Sequence, residues 1–192
     1  MKFLNQRDYS RRLYVTRTDM DGEDRERGKA TTIRSSGCGL CTAVMVADRL
    51  LPNCEFGLED ALALSYEAKA NYEVGTNYDV YAPVFAEKLG LRLEMTNDIE
   101  RLRHCLRTGG AAVINVGPGL FTRGGHYVAA INEEPDGRIA ILDPSYREGK
   151  FDEDARRDQV EIKKGVIVLC EASALAEDAA VRNPGYFLFW RA

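Results

Sequence analysis

A cysteine held between two glycines, in Ser35-Ser36-Gly37-Cys38-Gly39, opens an apolar stretch of the chain. If that stretch is a helix, its N-terminus sets free N–H groups and the positive end of the helix dipole beside the sulfur. Both lower a thiol pKa and favour the thiolate. The glycines let a substrate backbone approach closely, and the same amides suit the oxyanion that forms when a thiolate attacks a carbonyl. A structural cysteine flanked by turn glycines fits the segment equally well, so Cys38 alone decides nothing.

A second group breaks the tie. His126 opens one β-rich run and Asp143 closes the next, and between them lies the turn sequence Asn132-Glu133-Glu134-Pro135-Asp136-Gly137. In an antiparallel hairpin folded midway between Glu134 and Pro135, His126 and Asp143 pair directly. The carboxylate would accept from one imidazole nitrogen and aim the other at a thiol. A histidine at a sheet edge and an Asp-Pro turn are each commonplace. Together, in register and downstream of Cys38, they assign Cys38 as nucleophile, His126 as base and Asp143 as the group that orients the base. The other histidine, His104, lies in Leu102-Arg103-His104-Cys105, inside a helical stretch without adjacent glycine or carboxylate.

The elements that must position these groups follow from periodicity. From Cys38 to Leu51 apolar residues recur at helical spacing until Pro52 stops them, and the remaining positions are apolar too. A helix apolar nearly all round belongs at the centre of a domain. Helices are also expected over Leu58 to Asn71, Tyr78 to Leu89 (closed by Gly90), Asp98 to Arg107 and Ser173 to Arg182. Strands are expected over Arg11 to Thr16, Ala111 to Val116, His126 to Ile131, Arg138 to Leu142, Val166 to Cys170 and Tyr186 to Trp190. The charged run Asp21 to Lys29 reads as a solvated loop. Helices first and strands later give an α+β domain: a helical half with a buried nucleophile helix, packed on an antiparallel sheet half, with a cleft between them.

Composition narrows the function. The 192 residues suit one domain spanning 1–192, with 45% apolar and 29% charged residues. A net charge of −4 offers no footprint for nucleic acid or an anionic membrane. No apolar run is long enough to span a bilayer, and the first residues lack the apolar core of a secretory signal. The cysteines (Cys38, Cys41, Cys54, Cys105 and Cys170) are odd in number and scattered, which suggests a reduced, cytoplasmic protein. Cys38-x-x-Cys41 has the spacing of a redox pair, but Thr31 to Ser36 is too polar to be the strand such a unit needs, and Cys41 reads as core. No second cysteine pair or paired histidine suggests zinc. No Lys-Ser or Lys-Thr follows Gly117-Pro118-Gly119, which reads as a mobile rim of the cleft instead of a phosphate loop. No cofactor or metal is expected, and the implied partner is a peptide or small amide substrate.

Gly37-Cys38-Gly39 followed by Ala43-Val44-Met45, and Gly125-His126-Tyr127-Val128-Ala129 followed by Ile141-Leu142-Asp143-Pro144, resemble the two motif blocks of the bacteriocin-processing (double-glycine leader) cysteine peptidases and their stand-alone relatives. The resemblance runs in motif order over roughly residues 30 to 146. It implies a papain-like fold, a Cys-His-Asp triad and hydrolysis of a peptide or related amide bond. The best-known members of that family carry, six residues before the nucleophile, a glutamine whose amide completes the oxyanion hole. Thr32 stands at that position. Thr32, Ser36 and the Cys38 amide are therefore the candidate oxyanion donors. A papain-like binding protein without catalysis and an acyl transferase on the same fold are the alternatives.

Overall fold

In the computed structural model, residues 1–14, 31–72 and 75–192 are described. The expected loop from Asp21 to Lys29, and the last two residues of the expected first strand, lie outside them. The described chain is α+β. A 3-10 turn (Gln6–Asp8) precedes β1 (Leu13–Tyr14) and β2 (Thr31–Thr32), which pair. Helices α1 (Ile33–Ser36), α2 (Cys38–Leu50) and α3 (Leu58–Glu67) follow, then the hairpin β3 (Asn71–Tyr72) and β4 (Gly75–Thr76), and helix α4 (Tyr78–Leu89). Strand β5 (Leu91–Thr96) and helix α5 (Ile99–Arg107) lead into β6 (Ala111–Val116), β7 (His126–Glu133) and β8 (Ile139–Leu142). Helix α6 (Asp154–Arg157), strands β9 (Val160–Lys163) and β10 (Ile167–Cys170), helix α7 (Ala172–Ala179) and β11 (Tyr186–Arg191) complete it.

Seven strands form one antiparallel sheet in the order β5-β11-β6-β7-β8-β10-β9. Helix α2 lies on one face, buried continuously from Gly39 to Ala47, beside α3 and α4. The expected split into a helical half and a sheet half needs correction, because α5 and α7 cover the opposite face. The reason lies in the central strands. All four residues of β8 and all but Asn115 of β6 are buried, so the sheet is apolar on both faces and needs cover on both. The two strands of this sheet not anticipated from the sequence, β5 and β9, are its edges. Their apolar residues alternate with Arg92, Glu94, Glu161 and Lys163, the charged pattern that protects an edge. The helix expected to reach Asn71 ends at Glu67, where Lys69 adopts a left-handed φ of 52° with no glycine to announce it.

The hairpin register differs from the simple fold-back in a way that matters for the site. Near the turn, Asn132 pairs with Ala140. Continued without interruption, that pairing would set Asp143 opposite Ala129, on the face away from His126. A bulge at Ile131 intervenes, and beyond it Ala129 pairs with Leu142. Asp143 then follows opposite Val128, on the same face as His126 and two residues along from direct pairing. The Ile131 carbonyl, left out of the ladder, accepts a hydrogen bond from Arg49 Nε on α2 at 3.1 Å.

Two further ties fix the site's frame. The N-terminal segment bridges it: Gln6 N–H donates to Pro144 O at 2.7 Å, and Gln6 Nε2 donates to Arg34 O at 2.7 Å. The loop between β6 and β7, expected to be a mobile rim, is clamped by buried Asp178 of α7, which accepts from Leu120 N–H at 2.8 Å. A methyl group at Gly119 would stand 1.8 Å from Asp178 Oδ1, so only glycine fits there. Arg49→Met would strip the bulge carbonyl of a charged donor, a loss of about 2 kcal/mol. Urea denaturation is expected to show a lower midpoint with an unchanged slope.

Candidate active site

Cys38 is the first residue of α2, and Gly37 separates it from the short α1. A methyl group at Gly37 would stand 2.6 Å from Ile33 Cγ2, and one at Gly39 would stand 2.9 Å from Thr76. The two glycines thus let α1 and β4 close against the helix start. Tyr78 OH donates to Gly39 O at 2.9 Å, which seats α4 on the same turn. Cys38 is partly buried, at the floor of a cavity of about 550 Å³. Thr76, Asn77, Asn115, Tyr127 and Arg182 line the cavity along with Cys38 and His126.

The structure brings Cys38, His126 and Asp143 together. His126 Nε2 lies 2.8 Å from Asp143 Oδ1, which leaves Nδ1 for the Cys38 sulfur. His126 and the backbone amides of Gly39 and Tyr127 are the groups that favour the thiolate form of Cys38. Burial pushes the Cys38 thiol up, but the His126 hydrogen bond and charge, with the two amides, outweigh it and hold the thiol below its ordinary value. Burial alone would lower His126. The hydrogen bond His126 donates to Asp143, together with the neighbouring sulfur, instead raises it from 6.5 to about 9. The arrangement favours a thiolate–imidazolium pair around neutral pH.

Asp143 is completely buried, and burial would push its carboxyl up. His126 and Lys150 reverse that and hold it well below the usual carboxylate range. Its Oδ1 also accepts from Ser145 N–H at 2.8 Å and Ser145 Oγ at 3.0 Å, while Oδ2 accepts from Lys150 Nζ. Lys150 Nζ donates to Ser145 Oγ as well, at 2.6 Å. Ser145 and Lys150 escaped the sequence reading. The Asp-Pro-Ser turn was visible, but nothing local says that a lysine seven residues on folds back over it.

Thr32 and Ser36 sit elsewhere in the local structure. Thr32 N–H donates to Ser35 Oγ at 3.1 Å, closing the start of α1, and Ser36 is buried with its hydroxyl 3.4 Å from that of Ser35. Neither lines the cavity. Asn115 does, and it is the carboxamide whose place in the wall the sequence gave no reason to suspect. His104 is exposed on α5, across the sheet from α2. Cys41 is fully buried one turn below Cys38, is not bonded to it, and burial pushes its thiol far up.

Compared with known proteins, the chain matches no family model and no curated sequence. Among the described residues, no helix is long and apolar enough to cross a membrane. Lys150→Met would leave the buried Asp143 short of one of its two cationic partners. A destabilisation of about 3 kcal/mol is expected for breaking such a pair, read as a lowered denaturation midpoint, with Lys150→Arg recovering part of it.

Proposed function

We propose that this chain is a papain-like cysteine hydrolase that cleaves a peptide or related amide bond. The observation that carries the reading is the Cys38–His126–Asp143 alignment beside a cavity that Cys38 and His126 line. A half-buried thiol stands at a helix start, one imidazole nitrogen is turned to it, and the other is fixed at 2.8 Å by a buried carboxylate. A satisfied structural histidine needs no thiolate partner, and a structural cysteine needs no such cavity.

In the proposed reaction, the Cys38 thiolate attacks the carbonyl carbon of the scissile amide. The negative charge on the carbonyl oxygen is met by the Cys38 backbone N–H, with the Asn115 carboxamide available in the cavity wall. The His126 imidazolium gives its proton to the departing amine as the C–N bond breaks, leaving an acyl-thioester on Cys38. His126 then takes a proton from water, whose oxygen attacks the thioester, and the carboxylic acid product and thiolate are released. Asp143 stays ionised throughout; it stabilises the imidazolium in the first step and keeps the neutral imidazole in the tautomer that accepts the water's proton in the second. Lys150 and Ser145 keep Asp143 in place.

The papain-like fold belongs to the same proposal. It is supported by a buried helix that carries the thiol at its start, laid on an antiparallel sheet that carries the base at the start of one strand and the carboxylate just past the end of its neighbour. The expected result with a mixed fluorogenic peptide library is thiol-dependent hydrolysis that Cys38→Ala abolishes and Cys41→Ala largely retains. Equal loss in both variants would favour a redox pair instead.

A further inference from the structure

Arg182, in the turn that follows α7, has no role in the reaction as proposed, yet its guanidinium lines the cavity that holds Cys38 and His126. Its Nε is buried without a hydrogen-bond partner among the described residues. Its one side-chain hydrogen bond is a long one, from Nη2 to Gly124 O at 3.5 Å. No carboxylate among the described residues pairs with it, and none of those lining the cavity is acidic. Room for the guanidinium comes from Gly125, where a methyl group would stand 2.9 Å from Nη2. The cation is thereby held one residue from His126.

The Arg182 Nε–H is buried without an acceptor, which is costly, and the planar donors of a guanidinium match a carboxylate in bidentate fashion. Arg12, Arg101, Arg103 and Arg138 all pair with glutamate here. The one at the cavity does not. We propose that Arg182 is a substrate-recognition residue, and that the cavity takes amides bearing a carboxylate close to the scissile bond. This rests on the hydrolase reading for its use, though the anion site itself does not. The carboxylate could be a chain terminus or a glutamate or aspartate side chain, and both would present the same two oxygens to the fork.

The test uses alkylation of Cys38 by two reagents of like size, followed by mass spectrometry on the intact protein. In each case the Cys38 thiolate displaces iodide from the methylene carbon, forming a thioether. Iodoacetate carries a carboxylate into the cavity, whereas iodoacetamide carries a neutral amide. The ratio of the iodoacetate to the iodoacetamide rate is expected to fall about tenfold in Arg182→Ala, the loss of one charge-assisted pair. In Arg182→Lys it should fall less, because charge remains but the fork does not. An unchanged ratio in both variants overturns the assignment. The ratio can be read whether or not any peptide is cleaved, so a missing hydrolysis activity would count against the hydrolase reading and not against the anion site. With cleavable peptides, matched pairs with free or amidated C-termini, and with Glu or Gln beside the bond, separate the two sources. A wild-type preference for either charged form that disappears in Arg182→Ala supports the proposal. Equal turnover of both pairs by wild type overturns it as a specificity determinant.

Discussion

A carboxylate with no exposure to water is the constraint around which the rest of this site is organised. Asp143 remains ionised only because its two oxygens are fully used: Oδ1 by His126, the Ser145 amide and the Ser145 hydroxyl, and Oδ2 by Lys150. Burial strengthens each of these contacts by excluding water, and it would make the loss of any one of them expensive. The fixed carboxylate raises the imidazole's proton affinity, and the imidazolium in turn stabilises the thiolate across the cavity. The electrostatics therefore run in one direction, from a buried anion through the imidazole to the Cys38 sulfur.

Backbone geometry makes that chain of charges possible. His126 and Asp143 share a face of the sheet only because the Ile131 bulge shifts the register, and the bulge's spare carbonyl is satisfied by Arg49 of the helix that carries Cys38. The helix that carries Cys38 thus helps to hold the register that places His126. Gln6, bonded both to Pro144 and to Arg34, joins the carboxylate's loop to the segment before the nucleophile. In the proposed hydrolysis such ties would matter, because a displacement of about 1 Å between reacting groups can cost about a hundredfold in rate.

Much of this was legible in the sequence, and the exceptions have physical causes. Helix α4 was readable at both ends because Asn77 caps it and Gly90 takes the left-handed conformation that stops it. Strand β6 was readable as an apolar run between Gly110 and Gly117. The grouping of Cys38, His126 and Asp143 could be inferred from residue type and order, although the inferred pairing was two residues out. Nothing local in Ala130-Ile131-Asn132 marks a bulge. Edge strands β5 and β9 were hidden by the charges that protect them. Ser145, Lys150, Asn115 and Arg182 were missed for one shared reason: each reaches the site through a loop or a register that exists only once the sheet is assembled. Thr32 stands at the glutamine position of the resembled family, but its hydrogen bonding serves the start of α1.

The most direct test of the central claim, a thiolate–imidazolium pair held by a buried carboxylate, is the NMR titration of the two histidine side chains. His104 is exposed and provides the internal comparison. His126 is expected to remain an imidazolium through neutral pH, with a midpoint near 9. That midpoint should fall in Cys38→Ser, where the anionic sulfur that helps to raise it is gone. A His126 midpoint close to the ordinary 6.5 and indifferent to Cys38→Ser would contradict the account.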